Sequence, residues 1–166
     1  MQTPALILAL DDDHCLAAWD RTLIQIWSRA TTEMAASSMC SVAREFTLKH
    51  PRGSSGLFIV ENASAVPGAG ARRAFSRFTR ESASKMVCCA VVPEGGGFRS
   101  ATVRSVVFGL GVLLKPSPYK FAADVDAATS LLAPNLSDGS GGRDKLRIAV
   151  TDVRARMNQS RFLRSA

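Results

Sequence analysis

Apolar and polar residues follow one another in blocks that predict three strands at the start of the chain. Leu6–Leu10 and residues 15–19 are short apolar runs separated by the acidic turn Asp11–Asp13. Residues 22–28 contain the β-branched, aliphatic and aromatic side chains that a packed strand requires. Asp20 and Arg21 leave room only for a tight connection. We therefore expect the chain to open with a β-β-β unit.

Segments with helical periodicity then alternate with apolar runs that are typical of buried strands. Thr31 or Thr32 caps a first helix that ends near His50, because Pro51 disfavours helical geometry before it. Residues 53–56 read as a loop, and residues 57–60 and 86–92 as buried strands. A second helix around residues 71–82 separates these strands. A third helix with an apolar stripe over 103–114, a short strand at Tyr119–Phe121 and a helix capped by Asp124 complete the pattern.

This order predicts an α/β protein: a mixed sheet with about four helices packed on it. We assign residues 1–133 to the α/β domain and residues 134–143, rich in Gly, Ser and Pro, to a linker. Residues 144–166 form a basic tail. Its apolar residues suit an amphipathic helix, but Leu146, Ile148 and Val150 also alternate like a strand, so both interpretations remain open.

Composition and charge narrow the function. Seven basic and two acidic residues lie from Arg143 onward, so the tail carries +5 of the net charge of +7. The nearly neutral remainder, in which we expect no exposed aromatic residues among the basic ones, argues against nucleic-acid binding. The first ten residues lack the basic stretch of a signal peptide, and no apolar run is long enough to span a bilayer, so we expect a cytoplasmic protein.

Candidate chemistry is sparse. The four cysteines and two histidines lack metal-site spacing, so we expect no metal, no cofactor and reduced, mostly buried thiols. No Gly-x-Ser-x-Gly motif or Cys-His pair indicates catalysis, so we expect no enzyme. The Gly95–Gly97 loop lacks the features of a P-loop. An alternative hypothesis is a small-ligand or anion-binding domain that uses this loop with Arg99.

The second predicted helix has a basic side. Arg73, Arg77 and Arg80 recur at i, i+4 and i+7, with Arg72 beside them. Because arginine is enriched at protein interfaces, this side is a candidate docking surface. Phe98 and Arg99, directly after the glycines, are candidate contacts as well.

The closing segment carries a family resemblance. Phe121 followed by Asp124-Val125-Asp126-Ala127-Ala128, together with the element order over residues 6–133, resembles STAS domains, the sulfate-transporter and anti-sigma-factor-antagonist domains. The resemblance implies a bacterial regulatory or scaffolding protein that docks onto another protein, such as a kinase-like signalling partner, through the second helix and adjacent loops. Self-association is a further expectation.

The usual phospho-acceptor of that family is missing. STAS domains that are phosphorylated present an Asp-Ser-Ser-Gly-like turn at the start of the second helix, whereas this chain has Pro67-Gly68-Ala69-Gly70-Ala71. Ser64, a few residues earlier in the loop, is the remaining candidate for phosphorylation.

Overall fold

The structure is a computed structural model that describes residues 4–95, 98–111 and 118–165. Within these ranges it has six strands and five α-helices, which confirms the predicted α/β class. The strands are β1 (Leu6–Leu10), β2 (His14–Trp19), β3 (Thr22–Trp27), β4 (Ser54–Val60), β5 (Met86–Pro93) and β6 (Tyr119–Phe121). The helices are α1 (Glu33–Leu48), α2 (Ala69–Ser82), α3 (Phe98–Gly111), α4 (Val125–Leu132) and α5 (Gly142–Ser165).

The strands lie in the sheet in the order in which they occur in the chain. β1 and β2 are antiparallel, as are β2 and β3, whereas β3 to β6 are parallel neighbours. The two-residue turn between β2 and β3 places Asp20 at a φ of 52°, in the left-handed region that aspartate tolerates. The carboxyl ends of the four parallel strands therefore share one edge of the sheet.

Helices cover both faces of this sheet. On one face α4 and α5 pack against the side chains that alternate inward from β2 to β5, including Ile24, Leu57 and Ala90. On the other face α1 and α2 pack against Leu16, Leu23 and Trp27. α3 lies on this second face, against β5, β6 and α2.

One predicted loop is wrong. Residues 53–56 were expected to form a loop, but β4 begins at Ser54, pairing with β5 from Ser54 on and with β3 from Ser55 on. Ser54 and Ser55 are buried in this strand, and their N–H groups donate to the carbonyls of Lys85 and Arg21. Pairing on both sides stabilises strand geometry in a segment whose composition suits a turn.

The C-terminal segment is a long helix that belongs to the core. Of its two interpretations the structure shows the helical one, since α5 runs from Gly142 to Ser165. Five of its apolar side chains are buried in the same cluster as α4 and the sheet: Leu146, Ala149, Val150, Val153 and Met157. The basic residues of this segment therefore lie on a helix whose apolar side is packed against the rest of the protein.

The segment before α5 is attached to the β2–β3 turn. Arg21 donates to Ser137 Oγ at 3.0 Å and to the Asn135 carbonyl at 3.2 Å, and the Ser137 N–H donates to Asp20 at 2.8 Å. These bonds hold residues 135–137 beside the sheet on the way to α5. No helix in the described part of the chain has the length and apolar character needed to cross a bilayer.

Asp124 caps α4 as predicted, since its carboxylate accepts a hydrogen bond from the Ala127 N–H at 2.7 Å. We expect Asp124→Ala to lower the free energy of unfolding by about 1 kcal/mol, because a helix donor loses its partner. Asp124→Asn keeps an acceptor and should retain most of that stability. Urea denaturation of both variants measures this difference, and an equal loss in both would contradict the capping role.

Candidate functional site

A cavity of about 320 Å³ lies between the sheet and the helices α1, α2 and α3. Its rim includes Thr31 and the largely exposed segment 64–67, which follow the carboxyl ends of β3 and β4. Ligands of α/β proteins commonly bind at this edge of a parallel sheet. The described residues that line the cavity are Gln25, Trp27, Thr31, Cys40, Ala43, Phe58, Val60, Ser64, Ala65, Val66, Pro67, Phe75, Phe78, Thr79, Val91, Thr102, Val103, Val106 and Tyr119.

The described helical side chains on this face do not fully cover the sheet. Phe58 and Val60 belong to β4, which has a neighbouring strand on each side, yet both remain only half-buried. Val103 and Val106 of α3 are half-buried above the same space. A central strand normally buries its apolar side chains against a helix layer. Here the helix layer leaves room for a guest molecule.

Gly56 shapes the floor of the cavity. A Cβ atom at this position would lie 2.7 Å from ring atoms of Phe58 and 3.1 Å from Cε of Met86. The Phe58 ring therefore lies over the glycine, and a side chain at position 56 would displace it. The ring also lies near Tyr119 of β6, with centroids 6.2 Å apart.

Trp27 forms a fixed wall. Its ring meets His14 edge-on at a centroid distance of 4.3 Å and Phe75 at 5.2 Å. His14 is itself held by Asp11, whose carboxylate lies 3.0 Å from His14 Nδ1. Burial acts to raise the pKa of Asp11, but the hydrogen bonds from His14 and from the Asp13 N–H outweigh it and lower that pKa. The acidic turn thus supports the cavity wall.

Gln25 is a buried polar residue of the cavity lining. It lies between Leu23 and Trp27 on the cavity side of β3 and is 5% exposed. Among the described residues no hydrogen bond reaches its side-chain amide. A polar group that lines an apolar cavity without a protein partner can bond to a ligand and orient it.

A pair of hydrogen-bonded side chains lines the cavity next to α2. Tyr119 Oη and Thr79 Oγ1 are 3.0 Å apart. Burial raises the pKa of Tyr119 well above its usual value, so the phenol stays neutral. The pair ties β6 to α2.

The thiols are suited to packing rather than to chemistry. Burial raises the pKa of Cys40, beside the cavity, to about 12 and that of Cys15 to about 11. The pKa values of Cys88 and Cys89 are raised by burial as well. Because the thiolate is the nucleophile, thiols with such pKa values are poor nucleophiles at neutral pH.

These thiol pKa values predict a pH dependence of stability. Unfolded cysteines ionise near pH 8.5, whereas the folded ones ionise only at higher pH. The contribution of these neutral thiols to the free energy of unfolding is therefore complete below about pH 8.5. It is lost as the pH rises toward the pKa values of the folded protein. We expect the free energy of unfolding, measured by urea denaturation, to fall between pH 8 and pH 10. An increase in the free energy of unfolding over this interval would contradict the raised pKa values of the buried thiols.

Gly95 of the glycine loop is not among the described residues that line the cavity. Gly95 has a φ of 87°, and a Cβ atom there would clash with the side chain of Asn62. Gly96 and Gly97 lie outside the described residues. Phe98 and Arg99 form the first turn of α3, but their side chains lie outside the described ones. The anion-binding hypothesis for this loop therefore stays a prediction.

The predicted arginine face is on the outer side of α2. Arg72, Arg73, Arg77 and Arg80 are all exposed. Arg73 lies 3.7 Å from Glu33 at the start of α1, with both side chains largely in solvent. The neighbouring Met34 is 81% exposed, which adds an apolar contact beside the basic residues. This face is available to an acidic partner.

Ser64 lies at the rim of the cavity. It is half-buried, and its N–H donates to the Glu61 carbonyl at 2.9 Å. Its role as a phosphorylation site stays a prediction. Among the described residues no group of three or more His, Cys, Asp or Glu side chains could hold a metal ion.

Sequence reasoning missed the cavity but contained one signal for it. Gln25 is a lone amide in an otherwise apolar stretch of β3, on the same face as Leu23 and Trp27. A buried polar residue in such a pattern departs from the usual burial of apolar side chains, and here this residue lines the cavity.

Comparison of the chain with protein-family models, curated proteins and solved structures gives no significant match. The resemblance to STAS domains stays a prediction.

Proposed function

We propose that this protein is a non-catalytic α/β domain that binds a small, neutral, largely apolar molecule in the cavity under α3. The observation that carries the proposal is the space of about 320 Å³ over the half-covered central strand β4. Ligand pockets of proteins begin at about 300 Å³ and are mostly apolar with a few polar groups. This cavity fits that description.

The lining determines the charge of the ligand. No charged side chain occurs among the described residues that line the cavity. Among these described residues a charged molecule would gain no counter-ion for the hydration that it loses, which is unfavourable. A neutral ligand avoids this cost.

Binding of 1-aminonaphthalene tests the proposal. This neutral two-ring probe fluoresces more strongly in an apolar environment, so we expect a saturable increase with the wild-type protein. Val103→Phe should weaken binding at least tenfold, because the half-buried Val103 lines the cavity and a phenyl group would fill part of it.

Ser105→Phe is the matched control. It introduces the same side chain on the same helix at an exposed position. It should leave the affinity for the probe unchanged. Absence of saturable binding to the wild type, or equal weakening by both variants, would contradict the proposal.

Protein docking through α2 is a second candidate function, supported by the four exposed arginines and by Met34 beside them. In this proposal the protein is a cytoplasmic, STAS-like regulatory or scaffolding protein with an acidic partner. The inner side of α2 contributes Phe75, Phe78 and Thr79 to the cavity. A ligand would therefore lie about 10 Å, one helix diameter, from the arginine face.

Charge reversal tests this candidate. An immobilised Arg73→Glu, Arg77→Glu variant should lose a partner protein that the wild type retains from cell extract, and purified partner should bind the wild type with a salt-dependent affinity. Arg143→Glu, Arg147→Glu makes the same charge change at exposed positions of α5 and should retain the partner. Equal retention by all three proteins would exclude α2 as the docking surface.

A further inference from the structure

We propose that the ligand is a flat heteroaromatic molecule whose ring carries a hydrogen-bond donor next to an acceptor, as in a lactam, and that the Gln25 amide recognises this pair. This inference rests on the proposed function and specifies its ligand. It follows from the shape of the walls, the volume of the cavity and the isolation of Gln25.

Aromatic rings form much of the wall. Trp27, Phe75 and Phe78 lie on one side, and Phe58 and Tyr119 on the floor. The ring contacts of Trp27 with His14 and Phe75 fix its orientation. Aromatic faces and edges pack best against another ring, in stacked or edge-to-face geometry. The walls therefore favour a flat aromatic guest over a flexible chain.

The volume limits the size of the guest. An apolar cavity of about 150 Å³ accepts benzene. This cavity has about twice that volume, at about 320 Å³. A molecule of two fused rings matches it.

Gln25 determines which hydrogen-bonding groups the edge of the ligand must carry. A glutamine side chain presents an N–H donor and a carbonyl acceptor side by side. In this protein Gln25 is 5% exposed as a whole residue and lines the cavity, and its amide has no hydrogen-bond partner among the described residues. A ring with the complementary acceptor and donor satisfies both groups at once. Among the described lining residues Thr79 and Gln25 are the buried polar ones, and Thr79 is already paired with Tyr119. We therefore assign the selection of the ligand to Gln25.

Displacement of 1-aminonaphthalene tests the inference with three competitors of similar shape. 2-Quinolinone carries the donor and acceptor, 1-methyl-2-quinolinone lacks the donor, and naphthalene lacks both. We expect 2-quinolinone to bind the wild type about tenfold more tightly than either of the others, because only it satisfies the whole amide.

Gln25→Leu removes the amide and keeps the size of the side chain. This variant should still bind 1-aminonaphthalene and naphthalene, and it should lose the preference for 2-quinolinone. Equal affinities of the three competitors for the wild type would overturn the inference without affecting the proposed function, and so would a preference that survives in Gln25→Leu. Failure of 1-aminonaphthalene to bind the wild type would instead overturn the proposed function itself. The comparison within the wild type decides the inference even if the variant fails to fold.

Discussion

Replacing Leu146 by alanine should lower the free energy of unfolding by about 2–5 kcal/mol. Leu146 is fully buried on α5 among residues of α4 and the sheet. The substitution removes apolar contacts and leaves a space that the surrounding residues fill only in part. Urea denaturation followed by near-UV circular dichroism measures the change.

Ile148 provides the matched control on the same helix. It lies two residues further along and is 47% exposed. Ile148→Ala should cost less than about 1 kcal/mol, because little apolar surface returns to water. Similar small losses in both variants would mean that the apolar side of α5 does not belong to the core.

Replacing Gly56 by alanine should lower the free energy of unfolding by about 1–3 kcal/mol and also weaken binding of 1-aminonaphthalene. The new Cβ atom would lie 2.7 Å from the Phe58 ring, so the ring must move. The space open to it is the cavity, since Phe58 lines that cavity. Stability and ligand binding should therefore fall together. Chemical denaturation and probe titration measure the two effects.

Gly109→Ala is the matched control, at a position with space for the added methyl group. It lies in α3, and a Cβ atom there would meet nothing within 4 Å. Gly109→Ala should raise the free energy of unfolding by up to about 1 kcal/mol, because alanine favours a helix over glycine. It should leave probe binding unchanged. A loss of stability in Gly109→Ala would contradict the placement of the Phe58 ring over Gly56 as the cause of the effect. Unchanged stability in Gly56→Ala would contradict it as well.

Much of the fold could be predicted from local pattern. The apolar runs of β1 to β3, the cap at Asp124 and the proline after His50 each determine structure within a few residues of themselves. The start of β4 could not be predicted this way, because Gly53 and the serines after it suit a turn. Pairing of Ser54 and Ser55 with distant residues decides their conformation. Tertiary hydrogen bonds there override local preference.

The C-terminal helix shows a different limit. Leu146 and Val150 satisfy both the helical and the strand period, so the pattern alone leaves two interpretations. Burial of Met157, eleven residues after Leu146, against the same cluster distinguishes them. A sheet face that needs covering is visible only once the strands have been assembled.

One part of the candidate site could be predicted from the sequence and the other part could not. The exposed arginines of α2 could be predicted from their spacing, because a helix surface depends on its own sequence. The cavity could not, because it is a space that α1, α2 and α3 leave between them. A sequence records which residues are apolar, but it does not record how completely they fill the volume between two layers.

Amide chemical-shift mapping by NMR tests the central claim most directly. Addition of 1-aminonaphthalene should shift the amide signals of cavity residues such as Phe58, Thr79 and Val91. The signals of Leu132 and Leu146, on the opposite face of the sheet, should stay in place. Shifts confined to the exposed Phe162 and Leu163, or absent altogether, would contradict a ligand site under α3.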